Sequence, residues 1–306
     1  MSSPSLPQTM RVIERNWLSS NMVVFLDADG ASLIDTGYVK HAGLTEALVD
    51  RAIGTRPLVK LLNTHLHSDH CGGNARLTGR HDCEVWVPAA SFDAALRWDE
   101  DQLSFKATGQ LCDRFSPTGQ LSPGDSVPLG SMEWRVMAAP GHDPQSIIFF
   151  QPEHRILISA DALWEDGFGV IFPELEGGSG FAEQSAILDL IESLDPAWVI
   201  PGHGPPFDDL EGALKRARSR LHFQKSHPDR HAGYALKVLV RYLMLELEAA
   251  HLSTVIDRLS QGRVIASAAR LIGRSTTEAI NWAVERLIDG GQLQRLEDGR
   301  LQSSSD

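Results

Sequence analysis

Apolar residues in the first two thirds of the chain fall into short, partly β-branched runs separated by turn residues, the signature of strands. Such runs predict strands over residues 22–26, 31–34, 58–62, 84–87, 133–138, 146–151, 155–159 and 198–200. The first two flank Asp27-Ala28-Asp29-Gly30, where Asp-Gly tolerates the positive φ of a hairpin turn. Three- and four-residue apolar spacing between other runs predicts helices over 42–52, 91–97 and 181–193. Hairpins mixed with intervening helices imply an α/β architecture of two sheets with helices outside.

Beyond about residue 208 the pattern becomes almost continuously helical, with predicted helices over 209–225, 232–247, 252–259, 263–271 and 276–288. Ser275-Thr276-Thr277-Glu278 fits a capping box at the start of the last one. After Gly290-Gly291 a short ribbon-like tail runs over 292–301, so three short helices followed by a β-ribbon predict a winged-helix-like region. The expected organisation is a domain over 1–207 and a mainly helical, winged-helix-like domain over 208–306, the second covering the mouth of the first.

Composition narrows the class. The 306 residues are 42% hydrophobic and 22% charged, values of a globular chain able to bury a sizeable core. No stretch approaches the ~20 uncharged apolar residues of a membrane span, since 234–247 is broken by Lys237, Arg241 and Glu246. The opening residues lack a basic segment followed by an apolar one, so a cytoplasmic location is expected. Cys71, Cys83 and Cys112 are odd in number and lack CxxC spacing, and are read as free thiols.

The net charge of −12 is uneven: residues 1–209 carry 13 basic against 29 acidic side chains, and residues 210–306 carry 15 against 11. An acidic front region repels a phosphate backbone and argues for a small-molecule substrate over nucleic acid. A homo-oligomer stays open.

The chemistry concentrates in Leu61-Leu62-Asn63-Thr64-His65-Leu66-His67-Ser68-Asp69-His70-Cys71-Gly72-Gly73-Asn74, where three imidazoles and a carboxylate fall within six residues. His65, His67 and Asp69 alternate, as on an extended strand end, and His70 turns in from the following bend. His142 in Ala139-Pro140-Gly141-His142, Asp161 in Ile158-Ser159-Ala160-Asp161 and His203 in Ile200-Pro201-Gly202-His203 each stand at a predicted strand end. Side chains from different strand ends can converge on one rim.

Seven imidazole and carboxylate donors overfill one catalytic ion, which takes three or four protein ligands and keeps a position for water. Two divalent ions fit, with His65, His67 and His142 on one, Asp69, His70 and His203 on the other, and Asp161 bridging. The donor set favours zinc, and iron and manganese fit the same atoms. Two such ions can hold a bridging hydroxide at neutral pH, which would be the nucleophile.

The HxHxDH run, the later His, Asp and His, and the early Ile34-Asp35-Thr36-Gly37 together resemble the metallo-β-lactamase-fold hydrolase superfamily over roughly residues 20–207. The resemblance implies a four-layer αββα sandwich with His65, His67, Asp69, His70, His142, Asp161 and His203 as metal ligands. It also implies that Asp69 accepts a proton from the bridging hydroxide. Asp161 stands where the commonest zinc β-lactamases use Cys, so the chain looks closer to the glyoxalase II, lactonase and lactamase-β-like ribonuclease branches. The winged-helix-like tail is similar to the lactamase-β-like 2 group, and no basic glutathione-binding pattern matches.

The expected reaction is hydrolysis of an ester, thioester or lactone. The alternatives are an endoribonuclease of the lactamase-β-like 2 kind and a non-enzymatic DNA-binding regulator with a vestigial metal site. Trp164, Phe168 and Phe172, in the segment after Asp161, are candidate substrate-pocket residues, and the competing reading is a packed connection. His41, His81, His154, His222, His227, His231 and His251 are read as surface or capping residues. Cys71 is read as a thiol packed behind the motif, and Asp143 either orients a neighbouring ligand or stabilises its own turn.

Overall fold

The computed structural model describes residues 6–304. Strands β1 (Met10–Ile13), β2 (Met22–Leu26), β3 (Ala31–Ile34), β4 (Leu58–Leu62), β5 (Glu84–Pro88) and β6 (Gly119–Leu121) form one sheet in chain order. The first three pair antiparallel and the last four parallel. The second sheet has the order β11-β10-β9-β8-β7, built from β7 (Ser126–Leu129), β8 (Met132–Ala138), β9 (Ile147–Gln151), β10 (Ile156–Ala160) and β11 (Trp198–Pro201). Only its β10/β11 pair is parallel.

Alternation along each strand explains the layering, because successive side chains leave a strand on opposite faces. On β2, Val23 and Phe25 enter the core between the sheets, while Met22 and Val24 face the outer helices. On β9, Ile147 and Phe149 join the same inner core, with Trp134 and Ile200, while Ile148 and Phe150 face outward. Helices α1 (Ala42–Ile53), α2 (Ser68–Cys71), α3 (Asn74–Arg80), α4 (Ala89–Arg97) and α5 (Phe105–Thr108) follow the first-sheet strands. Val49, Leu77 and Ala95 cover that sheet's outer face. Helices α6 (Phe181–Leu194) and α7 (Leu210–Ser226) cover the second through Ile187, Leu188, Ala213, Ala217 and Leu221. The result is the expected αββα sandwich, with α7 packed into it.

The remaining chain forms α8 (Pro228–Leu247), β12 (Ala249–Ala250), α9 (Leu252–Leu259), α10 (Arg263–Leu271), α11 (Thr276–Asp289), β13 (Leu293–Arg295) and β14 (Leu301–Ser303). Its own core gathers Leu236, Leu239, Val240, Val255, Ile265, Ile280 and Val284. The capping box is present: Ser275 Oγ accepts from the Glu278 amide, and the Glu278 carboxylate accepts from the Ser275 amide. The terminal ribbon is three-stranded in the order β12-β14-β13, because Ala249 and Ala250 pair with β14. No helix among the described residues is long and apolar enough to cross a membrane.

Candidate metal centre

Four strand ends deliver the chemistry to one rim. β4 stops at Leu62 and releases residues 63–70, β8 leads to His142, β10 to Asp161 and β11 to His203. The local geometry differs from simple strand alternation. His65 and His67 lie on an irregular segment, while Asp69 and His70 sit on the single helical turn of α2, with His67 at its N-cap. All seven side chains are nevertheless buried and brought together in two groups of donor atoms: His65, His67 and His142, and Asp69, His70, Asp161 and His203.

His67 Nδ1 lies 3.1 Å from His65 Nε2 and 2.7 Å from His142 Nε2. Asp161 stands between the groups: its Oδ2 is 3.3 Å from His142 Nε2, and its Oδ1 is 3.4 Å from His70 Nε2. On the far side Asp69 Oδ2 is 3.0 Å from His203 Nε2 and 3.8 Å from His70 Nε2.

Partners outside the cage fix which nitrogen faces in. His70 Nδ1 donates to Asp35 Oδ2 at 2.7 Å, His142 Nδ1 to the Val170 carbonyl, and His65 Nδ1 to Thr64 Oγ1 at 3.1 Å. Thr64 passes its own hydroxyl proton and amide to Asp35 at 2.8 and 2.9 Å, so one buried carboxylate orients two imidazoles. Each Nε2 is thereby left with its lone pair toward the cage. Asp143 combines both roles read for it: Oδ2 is 3.5 Å from His67 Nε2, and Oδ1 accepts from the Gln145 amide of its turn. The cage also needs two bare backbone positions. A Cβ on Gly202 would lie 2.2 Å from Asp161 Oδ1, and one on Gly169 would lie 2.5 Å from His142 Nδ1.

The electrostatics suit cations. Burial holds His67 and His142 down at about 4 and pushes His65 well below the usual imidazole range, so all three are neutral donors at pH 7. Burial would raise Asp161 and Asp69, yet the surrounding imidazoles, His70 foremost, hold Asp161 well below the usual carboxylate range and Asp69 at about 2. For His70 burial is outweighed by Asp161, Asp35 and Asp69, which hold its imidazole well above its ordinary value.

Lone pairs converging at 2.7–3.1 Å repel one another unless a cation lies between them. A tetrahedral ion about 2.0–2.1 Å from imidazole nitrogens spaces them at about 3.3 Å, close to what is seen. The buried His70 Nε2 points into the second group with no hydrogen-bond partner among the described residues. The nitrogen and oxygen donors therefore fit two divalent ions.

A cavity opens beside the cage, reached by His67, Asp69, His142 and Asp161. Of the three pocket residues read from sequence, Trp164 and Phe172 line it. Phe168 does not: it is fully buried in the core of α6 and α7, with the Arg220 guanidinium over its ring. His231, expected near the surface, is also buried, and its Nε2 donates to the Ile171 carbonyl. Cys71 is a buried free thiol, as read.

Sequence reading missed the opposite wall. Trp17 stacks on His203 with ring centroids 5.4 Å apart and meets Trp164 edge-on. From α8 come Tyr234, Val238, Leu239 and Tyr242, and Tyr242 Oη donates to Asp69 Oδ2 at 3.1 Å. The signal that could have found them is the stripe Tyr234, Val238 and Tyr242, spaced by four on one face of α8.

The chain is 30% identical over 185 residues to an acyl-coenzyme A thioesterase of Gallus gallus, covering 54% of this chain and 62% of that protein. It is 31% identical over 143 residues to a hydroxyacylglutathione hydrolase of Bdellovibrio bacteriovorus, covering 47% of each. The matches thus span less than two thirds of either relative. A solved metallo-beta-lactamase family protein of Thermus thermophilus shares the fold over 98% of this chain and 100% of its own, with a TM-score of 0.59 and 18% identity. The sequence profile of the metallo-beta-lactamase superfamily matches residues 15–203, a span that opens before β2 and closes on His203. With that match running through both sheets and all four strand ends of the cage, the chain belongs to the metallo-beta-lactamase superfamily.

Proposed function

We propose that the chain hydrolyses a thioester, with His65, His67 and His142 holding one ion, Asp69, His70 and His203 the other, and Asp161 shared. The observation that carries the reading is Asp161, whose two oxygens face different donor groups on the wall of an apolar cavity. The names of the thioesterase and hydroxyacylglutathione hydrolase relatives support the choice of thioester over ester or lactone. Zinc is the proposed metal, on donor type alone.

Two bound divalent ions supply Lewis acidity and make water acidic enough to attack at neutral pH. The chain's own groups do the rest. Trp17, Val170, Phe172 and Val238 exclude solvent and seat the apolar part of the substrate against the rim. Asp69 is the base for the attacking water, and Tyr242 Oη fixes the carboxylate that does so. As the carbonyl carbon gains its bond to oxygen, the C–S bond breaks and the sulfur leaves with the electron pair. The proton that Asp69 took from the water passes to the sulfur and the product acid gives its own to solvent, leaving a carboxylate and a free thiol.

The test is a panel of thioesters, esters, lactones and single-stranded RNA with metal-loaded enzyme, alongside elemental analysis. Thioester turnover that disappears in His67→Ala and Asp161→Asn is expected. RNA cleavage lost in His67→Ala, with no thioester turnover, would overturn the reading.

A further inference from the structure

Helix α8 carries two stripes. One, including Ala235, Leu236, Val240 and Leu243, is buried in the C-terminal core. The other, Arg230, Tyr234, Lys237, Val238, Arg241 and Tyr242, follows the spacing i, i+4, i+7, i+8, i+11, i+12 of a single helical face. At its C-terminal end Tyr242 touches Asp69.

From there the cavity continues along the stripe: Trp17, Tyr234, Val238 and Tyr242 also line its extension, which adds Lys237 and Arg241. Tyr234 and Lys237 in turn line a wider groove with Arg230, Arg274, Trp282 and Arg286. Arg230 and Tyr242 are twelve residues apart, about 18 Å along the helix.

The outer groove is basic in a chain of net charge −12, with Asp229 the one acidic side chain among the described residues of its lining. Lys237 and Arg274 make no ion pair among the described residues, and Arg230 and Arg286 make only loose ones, at 3.8 and 3.6 Å. These cations are therefore available to an anion. Trp282 lies against the bare backbone of Gly233, where a Cβ would come within 2.8 Å of its ring, so a flat aromatic side chain forms part of the groove beside the guanidinium groups. Arginines beside a half-buried indole, one part packed on the C-terminal core and one part lining the groove, suit phosphates attached to a stacking base.

We infer that the α8/α11 groove binds the phosphate- and purine-bearing half of a thiol carrier, while the acyl carbonyl reaches the Asp161 rim at the other end of α8. This rests on the thioester reading and names the class of thioester: one whose leaving thiol is carried on a long arm ending in a nucleotide. Charge complementarity selects this occupant, and the length of the stripe separates the anion from the reacting carbon.

The experiment compares two thioesters of one acyl group with metal-loaded full chain, one on coenzyme A and one on N-acetylcysteamine, which lacks phosphate and base. The proteins are wild type, Arg274→Glu/Arg286→Glu, and Trp282→Leu. For the coenzyme A ester the double variant is expected to raise KM about tenfold or more with kcat within twofold. Its KM for the N-acetylcysteamine ester is expected to move less than twofold. Calorimetry with adenosine 3′,5′-bisphosphate is expected to show salt-sensitive binding that is lost in the double variant and weakened in Trp282→Leu.

Equal KM shifts for both esters, or bisphosphate binding that is absent or indifferent to these substitutions, would overturn the inference and leave the thioester reading standing. No turnover of either ester would instead sink the thioester reading, and bisphosphate binding would still decide the groove. An RNA oligonucleotide released by the double variant, with no effect on the coenzyme A ester, would assign the groove to nucleic acid and overturn the proposal.

Discussion

Gly202→Ala is the most exacting test of the cage. The added Cβ would lie 2.2 Å from Asp161 Oδ1, 2.9 Å from His70 Cε1 and 3.1 Å from the Ala160 carbonyl carbon. Carbon contacts settle at about 3.5–4.0 Å, so the site must open by about 1 Å or more. Neither side yields freely. The Gly202 amide donates to the Ala160 carbonyl and its own carbonyl accepts from the Asn21 amide, both at 2.7 Å, while Trp164 Nε1 donates to Asp161 Oδ1 at 3.2 Å. Overpacking of this kind costs about 1–3 kcal/mol of stability, and a displacement of about 1 Å at reacting groups costs on the order of 100-fold in rate.

Gly202→Ala is therefore expected to remain folded by circular dichroism, to retain less than its full metal complement by elemental analysis, and to lose about 100-fold in kcat. Gly79→Ala, on α3 with open space around the added carbon, is the matched control and keeps wild-type behaviour. A Gly202→Ala enzyme with full metal content and wild-type kcat would refute the claim that Asp161 is held by this close approach.

Other substitutions probe the supports one at a time. Tyr242→Phe keeps the ring and removes the donor to Asp69, and is expected to cost about 1–2 kcal/mol, roughly 5- to 30-fold in kcat/KM, with metal content retained. A change below twofold would remove Tyr242 from the positioning of Asp69. Asp35→Asn takes the carboxylate from His70 and Thr64, and metal affinity measured by chelator competition is expected to fall about 10- to 100-fold. In chelator-treated protein, His67 and His142 titrate near 4, below the unfolded value of 6.5. The stability they contribute is present above 6.5 and is lost as pH falls toward 4, at up to about 1.4 kcal/mol per unit for each proton. His67→Gln/His142→Gln should flatten that part of a stability-against-pH curve, and an unaltered slope would contradict the burial argument.

The donors were readable because HxHxDH and the three later strand-end residues are dense and chemically unambiguous, and their convergence needs only that strands end on one rim. The long strands and the C-terminal helices were readable from periodicity. The short edge strands β1, β6 and β7 were not: Met10–Ile13 and Gly119–Leu121 are too brief to show a period, and Ser126–Leu129 carries a proline. Phe168 and Phe172 illustrate a different limit. Two aromatics four residues apart face opposite ways, one into the core and one onto the cavity, because the segment between β10 and α6 is irregular and imposes no period. Tyr242 lies 173 residues from the carboxylate it touches, and only the folded chain relates them.

The division of labour along α8 bears on how this chain can change. The seven clustered donors all stand on connections of the sandwich, whereas one stripe of an appended helix lines much of the cavity beside them. On the thioester reading, exchanging residues on that stripe would redirect one hydrolytic centre toward new acyl carriers, so selectivity is free to drift while the donor cage is inherited intact.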